Sequence, residues 1–260
     1  MDKSVLDYAT PPFDFVLDKY RSGYNIVVIG ENHCSQERHK FVSHLVALVK
    51  REHDKLKLGL ELNVKWQKRM NQYISSNDAS STHYFETGRR KGTNYSIIID
   101  VAAELQIPVL CLDRGGEDRD EGMASRVCEG IDNDDIALIY VGALHASNDL
   151  CDVGGKLKNI YGRDKVFTVY QEVEDEVRTS GSFTDGFTAE IDKSDQKSKS
   201  MAFDLRNAGL RRILAQMDEG RYMFGEPLYD HYDGFIYLAK NLKDLSETSQ
   251  GLKPHTSSRG

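Results

Sequence analysis

The sequence predicts an α/β protein: a mostly parallel central sheet with helices on both faces, in a single compact domain. Three observations carry this expectation. Short aliphatic runs, led by Ile26-Val27-Val28-Ile29, have the length and continuity of strands buried on both faces. Between them lie stretches with apolar residues three and four apart, and that alternation implies βαβ units with right-handed crossovers. The runs also end in ionisable residues, as strands do when they deliver side chains to the carboxyl edge of an open sheet.

Taken in order, Asp14 to Tyr20 has room for one or two helical turns after the Pro11-Pro12 break. The first strand closes at Gly30 and is followed at once by Glu31-Asn32-His33. Ser35 is a fitting N-cap, with Glu37 favourable in the first turn. Phe41, Val42, Leu45, Val46 and Val49 then carry a helix to about His53. Lys57 to Leu62 is the second strand, with Glu61 at its end, and Val64 to Ile74 a further helix. Residues 75–93 are polar and read as an exposed connection, with a short helix around Tyr84. Tyr95 to Leu105 has helical spacing, and Ile107 to Asp113 is the third strand. After Gly115-Gly116, Arg119 to Val127 opens as a helix with acidic residues. Ile136 to Gly142 is the fourth strand and runs directly into Ala143-Leu144-His145. Lys165 to Tyr170 is a fifth strand, Leu210 to Met217 a helix, and Gly234 to Ala239 a last strand. The domain is expected to span residues 1–244, with a polar excursion at 171–200 and a disordered tail at 245–260.

The totals exclude several function classes. The chain has 260 residues, 39% hydrophobic and 29% charged, with a formal charge of −7. That balance opposes broad binding to nucleic-acid phosphates, so no nucleic-acid partner is expected. The four cysteines include no CxxC pair, and Cys111 reads as a small buried hydrophobe. No signal-like or membrane-spanning apolar run is present, which gives a cytoplasmic expectation, with a secreted effector or an excised toxin domain as the alternative. There is no Gly-x-Ser-x-Gly elbow, GxGxxG or P-loop, against serine hydrolase, dinucleotide and NTPase chemistry.

What terminates the strands points to a site: Glu31 and His33 after the first, Glu61 after the second, Asp113 after the third, His145 after the fourth. Parallel strands lie about 4.8 Å apart, so such residues can share one cleft. A single charge at a strand end can simply mark where the strand meets water. Neutral histidines can act as general bases or metal ligands, and the glutamates can orient them, ligate a cation or take a proton. A His₂/carboxylate set suits manganese, cobalt, zinc or iron. His39 is near enough to the first strand to look into the cleft. Cys34, beside His33, is a candidate nucleophile that nothing else in the sequence supports. Arg119-Asp120 fits either an anion-binding pair or a helix cap with a surface ion pair.

The residues Gly30-Glu31-Asn32-His33, Glu61, Arg119-Asp120-x-x-Met123-Ala124 and Gly142-Ala143-Leu144-His145, in this order, resemble the erythromycin esterase/ChaN-like/TraB–Tiki superfamily. Tyr232-Asp233-Gly234-Phe235-Ile236 is similar to the closing strand of its erythromycin-esterase branch. The resemblance implies an α/β domain with a cleft whose site residues are Glu31, His33, Glu61, Arg119, Asp120 and His145, with Glu31, His33 and His145 as metal ligands. It implies hydrolysis of an ester or amide, in some members with a divalent metal, or else a haem-binding or toxin/effector domain that keeps the cleft. The expected partner is a small-molecule or peptide substrate.

Overall fold

The computed structural model describes residues 4–32, 35–76, 95–132, 134–174, 190–191, 194, 199–217 and 227–240. His33, Cys34, most of the connection at 75–93, most of the polar excursion and the tail lie outside the described residues.

The strands are β1 (Ile26–Glu31), β2 (Leu56–Asn63), β3 (Val109–Asp113), β4 (Ile136–Gly142), β5 (Val166–Val173), β6 (Met201–Asp204) and β7 (Gly234–Leu238). They form one sheet in the order β3-β2-β4-β1-β5-β7-β6. All neighbours are parallel except β6, which runs antiparallel to β7. The helices are α1 (Pro12–Arg21), α2 (Gln36–Glu52), α3 (Gln67–Ser76), α4 (Ser96–Glu104), α5 (Arg119–Gly130), the single turn α6 (Ala143–Ala146), α7 (Val153–Tyr161), α8 (Ala208–Met217) and the single turn α9 (Leu228–His231).

Local chemistry accounts for the best-read elements. The Ser35 hydroxyl accepts the Glu37 N–H at the start of α2, whose buried face carries Phe41, Val42, Leu45, Val46 and Val49. β1 is buried at every residue because both its faces are covered, and it alternates between them. Val27 and Ile29 pack with α1, α2, α3 and α4, while Ile26 and Val28 pack with α5, α7 and α8. The steps β1→β2→β3 move one way across the sheet with α2, α3 and α4 on one face. The steps β3→β4→β5 return with α5 and α7 on the other, as a common right-handed crossover demands.

Two elements go beyond the sequence expectation. α7, a stretch to which the sequence reading assigned no element, has Gly154-Gly155 in its first turn, where added Cβ atoms would meet carbonyl oxygens of Ser147 and Asp149 at 2.3 and 2.0 Å. The glycines are present so that α7 can fold tightly back on the turn after β4. β6 is only four residues and lies beside polar sequence. Its partner β7 and the Thr10–Ala202 bridge hold it in place.

Candidate functional site

The strand order brings the site together. β4 lies between β2 and β1, so Gly142 at its end is flanked by Glu31, its register partner on β1, and by β2 with Glu61. The chain leaves β1 towards α2 on one face and leaves β4 towards α6 and α7 on the other. Adjacent strands whose connections diverge in this way open a crevice at the carboxyl edge.

Glu61 links the end of β4 to the start of α5. Its Oε2 accepts the Gly142 backbone N–H at 2.6 Å and its Oε1 accepts from Arg119 Nη2 at 2.6 Å. Arg119 is the first residue of α5 and points back over the edge. It also donates from Nε and Nη2 to the two oxygens of Asp113, at 3.0 and 2.7 Å. This fork-on-fork geometry fixes the guanidinium plane. Burial opposes the charge on Asp113, but the Arg119 hydrogen bonds and the Gly115 N–H outweigh it and hold the carboxyl below its usual range. Hydrogen bonding to Asp113 and the charges of Glu61 and Asp113 keep Arg119 protonated at any working pH.

His145 sits on α6, directly after β4. Its Nδ1 donates to Asp120 Oδ1 at 2.7 Å, and its Nε2 lies 3.3 Å from Arg119 Nη1 and 3.8 Å from Glu61 Oε1. The arrangement matches a neutral tautomer protonated on Nδ1, with Nε2 as the acceptor. Burial pushes the imidazole pKa down, but the bond to Asp120 and the charges of Glu61 and Asp120 overcome it, so the net shift is upward. Both Asp120 and Arg119 come from the first turn of α5, so one helix start orients both the imidazole and the guanidinium.

Glu31 is turned inward on the other side of Gly142 and is 1% exposed. The Tyr95 hydroxyl lies 3.5 Å from its Oε1. Tyr95, Tyr140 and His39 form a ring cluster with centroids 5.3–5.9 Å apart. Burial, then the Glu31 charge, holds the Tyr95 and Tyr140 hydroxyls well above the usual range, so both are donors at neutral pH. The charges of Glu61 and Arg119 also reach the Tyr95 hydroxyl, the first raising its pKa and the second lowering it.

The metal expectation meets a mismatch in the donor set. Both Glu61 oxygens and His145 Nδ1 are engaged, and the Arg119 guanidinium stands 3.3 Å from His145 Nε2, where it opposes a second cation. Among the described residues no group of three or more His, Cys, Asp or Glu is arranged to hold a metal ion. His33, the third expected ligand, lies outside the described residues.

Glu61, Arg119, Asp120 and His145 thus form one hydrogen-bonded set, and Glu31 is its buried neighbour. The sequence reading marked Asp113 as a strand end but left it out of the site, and it missed Tyr95 and Tyr140. Nothing in the sequence singled out Tyr95, because its approach to Glu31 depends on how α4 packs on α2. Cys111 is buried as expected, and burial pushes its thiol up to about 12.

No family model matches the chain, and no curated protein matches it in sequence. Solved structures do resemble it. A succinoglycan biosynthesis protein superposes with a TM-score of 0.68 at 12% identity, over 91% of this chain and 95% of that one. A protein from Bacillus cereus does so with a TM-score of 0.64 at 12% identity, over 90% and 95%. ChaN of Campylobacter jejuni, in a structure described by its cofacial heme binding, overlaps 61% of this chain and 85% of its own with a TM-score of 0.48 and 12% identity. At these identities the likeness is one of fold. Among the described residues no helix is long and apolar enough to cross a membrane.

Proposed function

We propose that the carboxyl-edge crevice is a hydrolytic site for an ester or amide, with His145 as its general base. The observation that carries this reading is the Asp120–His145–Arg119 geometry. A carboxylate 2.7 Å from Nδ1 orients the ring, and the opposite nitrogen faces a fixed cation. His145 Nε2 takes a proton from a water molecule as that water attacks the substrate carbonyl carbon. The carbonyl oxygen becomes an oxyanion beside Arg119, whose positive charge is held in place by Glu61 and Asp113. When the tetrahedral intermediate collapses, the proton on Nε2 passes to the leaving oxygen or nitrogen. Glu61, Asp113 and Asp120 are positioning residues. No step is routed through a metal, because both Glu61 oxygens and His145 Nδ1 are bonded to protein groups and the Arg119 guanidinium stands beside His145 Nε2. The motif resemblance to the erythromycin esterase/ChaN-like/TraB–Tiki superfamily supports the same edge of the sheet.

The test is turnover on a panel of aryl esters and anilides. His145→Ala is expected to reduce turnover by about 100- to 10,000-fold and Arg119→Lys by about 100-fold or more, both with unchanged circular dichroism. His33→Ala belongs in the same series, since His33 follows Glu31 by two residues. Equal turnover in wild type and His145→Ala would sink the reading.

A second reading is a ligand-binding or effector domain that keeps the crevice without catalysis. The closed state of the network favours it: Nε, Nη1 and Nη2 of Arg119 all face protein groups. Silence of the folded wild type across the panel, with a Soret band on haem titration, would favour this reading.

A further inference from the structure

The sequence singles out Tyr232-Asp233, the two residues between α9 and β7, yet they take no part in the proposed hydrolysis. Both are buried, and both reach the turn that carries His145. The Tyr232 hydroxyl donates to the carbonyl of Ala143, the first residue of α6, at 2.6 Å. Asp233 Oδ2 accepts from Lys158 Nζ of α7 and, at 3.0 Å, from the Thr168 N–H of β5. Lys158 Nζ and Thr168 Oγ1 in turn donate to Asn148 Oδ1, at 2.6 and 2.7 Å. The Asn148 N–H donates to the His231 carbonyl at 2.7 Å. His145 is therefore bracketed, two residues before it by Tyr232 and three residues after it by Asn148.

The bracket supplies what α6 lacks. A helix of four residues has few internal backbone bonds and no stability of its own, so its register is set by what it touches. Gly30 of β1 receives Ala143 and Ala146 on one side. Tyr232 and Asn148 hold the turn at its two ends. The Lys158–Asp233 pair is almost wholly enclosed, with side chains 10% and 12% exposed. Apolar side chains of the same volume would fill that space at least as favourably. What a satisfied polar network adds is a fixed relative position of the elements it joins, here α7, β5, the start of β7 and the turn after α6. The Tyr232 ring also packs on Tyr170, whose hydroxyl accepts from Asn32 Nδ2 at 3.2 Å just after β1. The same residue thus reaches the exits of both β1 and β4.

We infer that Tyr232 is a positioning residue for His145. Its hydroxyl, together with the Asp233–Lys158–Thr168–Asn148 network, seats α6 so that the imidazole keeps its bond to Asp120 and its approach to Arg119. Tyr232 acts through the backbone of α6, since its hydroxyl bonds a main-chain carbonyl. The inference rests on His145 as the working imidazole of the proposed reaction, and it adds the residues that hold that imidazole in register.

The test compares two tyrosines. Tyr232→Phe removes the hydroxyl and keeps the ring. Tyr20→Phe is its control, because the buried Tyr20 hydroxyl makes the same kind of bond, to the Ala137 carbonyl at 2.9 Å, at the opposite end of β4. Each variant loses one buried hydrogen bond, and both are expected to melt at a somewhat lower temperature. The first readout is ¹⁵N NMR of the neutral His145 ring in the full chain. The ring is expected to be protonated on Nδ1 in wild type and in Tyr20→Phe, and to shift towards the Nε2-protonated tautomer in Tyr232→Phe. The second readout is turnover of the ester panel. Tyr232→Phe is expected to lower kcat by about tenfold with KM changed by less than about twofold, and Tyr20→Phe to leave both in place. Thr168→Val, which removes the hydroxyl that bonds Asn148, should act on the ring as Tyr232→Phe does, and Thr168→Ser should restore the wild-type signals. Ring signals that stay in place in Tyr232→Phe, that move equally in Tyr20→Phe, or that show Nε2 protonation already in wild type would overturn the inference. A panel on which the wild type is silent defeats the hydrolytic reading, while the ring signals still decide this one.

Discussion

At the scale of single residues, the edge is governed by how charges share donors. His145 has a raised pKa because its bond to Asp120 and the charges of Glu61 and Asp120 outweigh the burial that pushes it down. The sign of the resulting stability is fixed by linkage. A raised folded pKa stabilises the fold fully below the unfolded histidine value of about 6.5, and this contribution is lost as pH rises through the folded value. Asp113 works in the opposite window. Its depressed pKa contributes above the ordinary aspartate range and is lost as acid protonates it. NMR titration of the His145 ring should therefore give a midpoint above 6.5 in wild type and a lower one in Asp120→Asn. A wild-type midpoint below 6.5 would mean that burial dominates. These couplings were only half legible in the sequence. The residue types were in view, but the choice of Asp120 rather than Glu61 as the close partner of His145 comes from the first turn of α5.

At the scale of elements, the position of His145 depends on Gly30. A Cβ there would stand 2.7 Å from the Ala146 Cβ and 2.9 Å from the Ala143 Cα, on the turn that carries His145. Backbone cannot swing away as a flexible side chain can, so α6 itself has to move. Gly30→Ala is expected to destabilise the protein by about 1–3 kcal/mol and to lower turnover more than substrate binding, as the imidazole leaves its register with Arg119. Wild-type stability, measured by urea denaturation, would show that α6 is not seated on β1. The sequence marked Gly30 as the end of an apolar strand. It gave no sign of a close helix approach, because that contact is between segments more than a hundred residues apart. The extent of α2 was legible because its cap and its apolar face are local features. α7 was not, since its paired glycines answer to a neighbouring turn rather than to helix propensity.

At the scale of the molecule, the order β3-β2-β4-β1-β5 turns a list of strand ends into a site. The chain sequence of strands says nothing of β4 lying between β1 and β2, yet that insertion puts Gly142 between Glu31 and Glu61 and drops His145 over the crevice. The alternation of strands and helices made the sheet legible, and the ionisable strand ends made its carboxyl edge legible. The division of that edge into a His145–Arg119 half and a buried Glu31 half depended on which side of β4 each strand lies. The proposed hydrolysis rests on His145 as a base oriented by Asp120. The most direct measurement is the pH dependence of kcat/KM on the best panel substrate, in wild type and in Asp120→Asn. A base must be deprotonated, so the wild-type rate should climb with pH through a limb above 6.5. In Asp120→Asn that limb should move to lower pH and the plateau should fall. A rate independent of pH across this range, or a limb that stays in place when Asp120 is neutralised, would contradict the account.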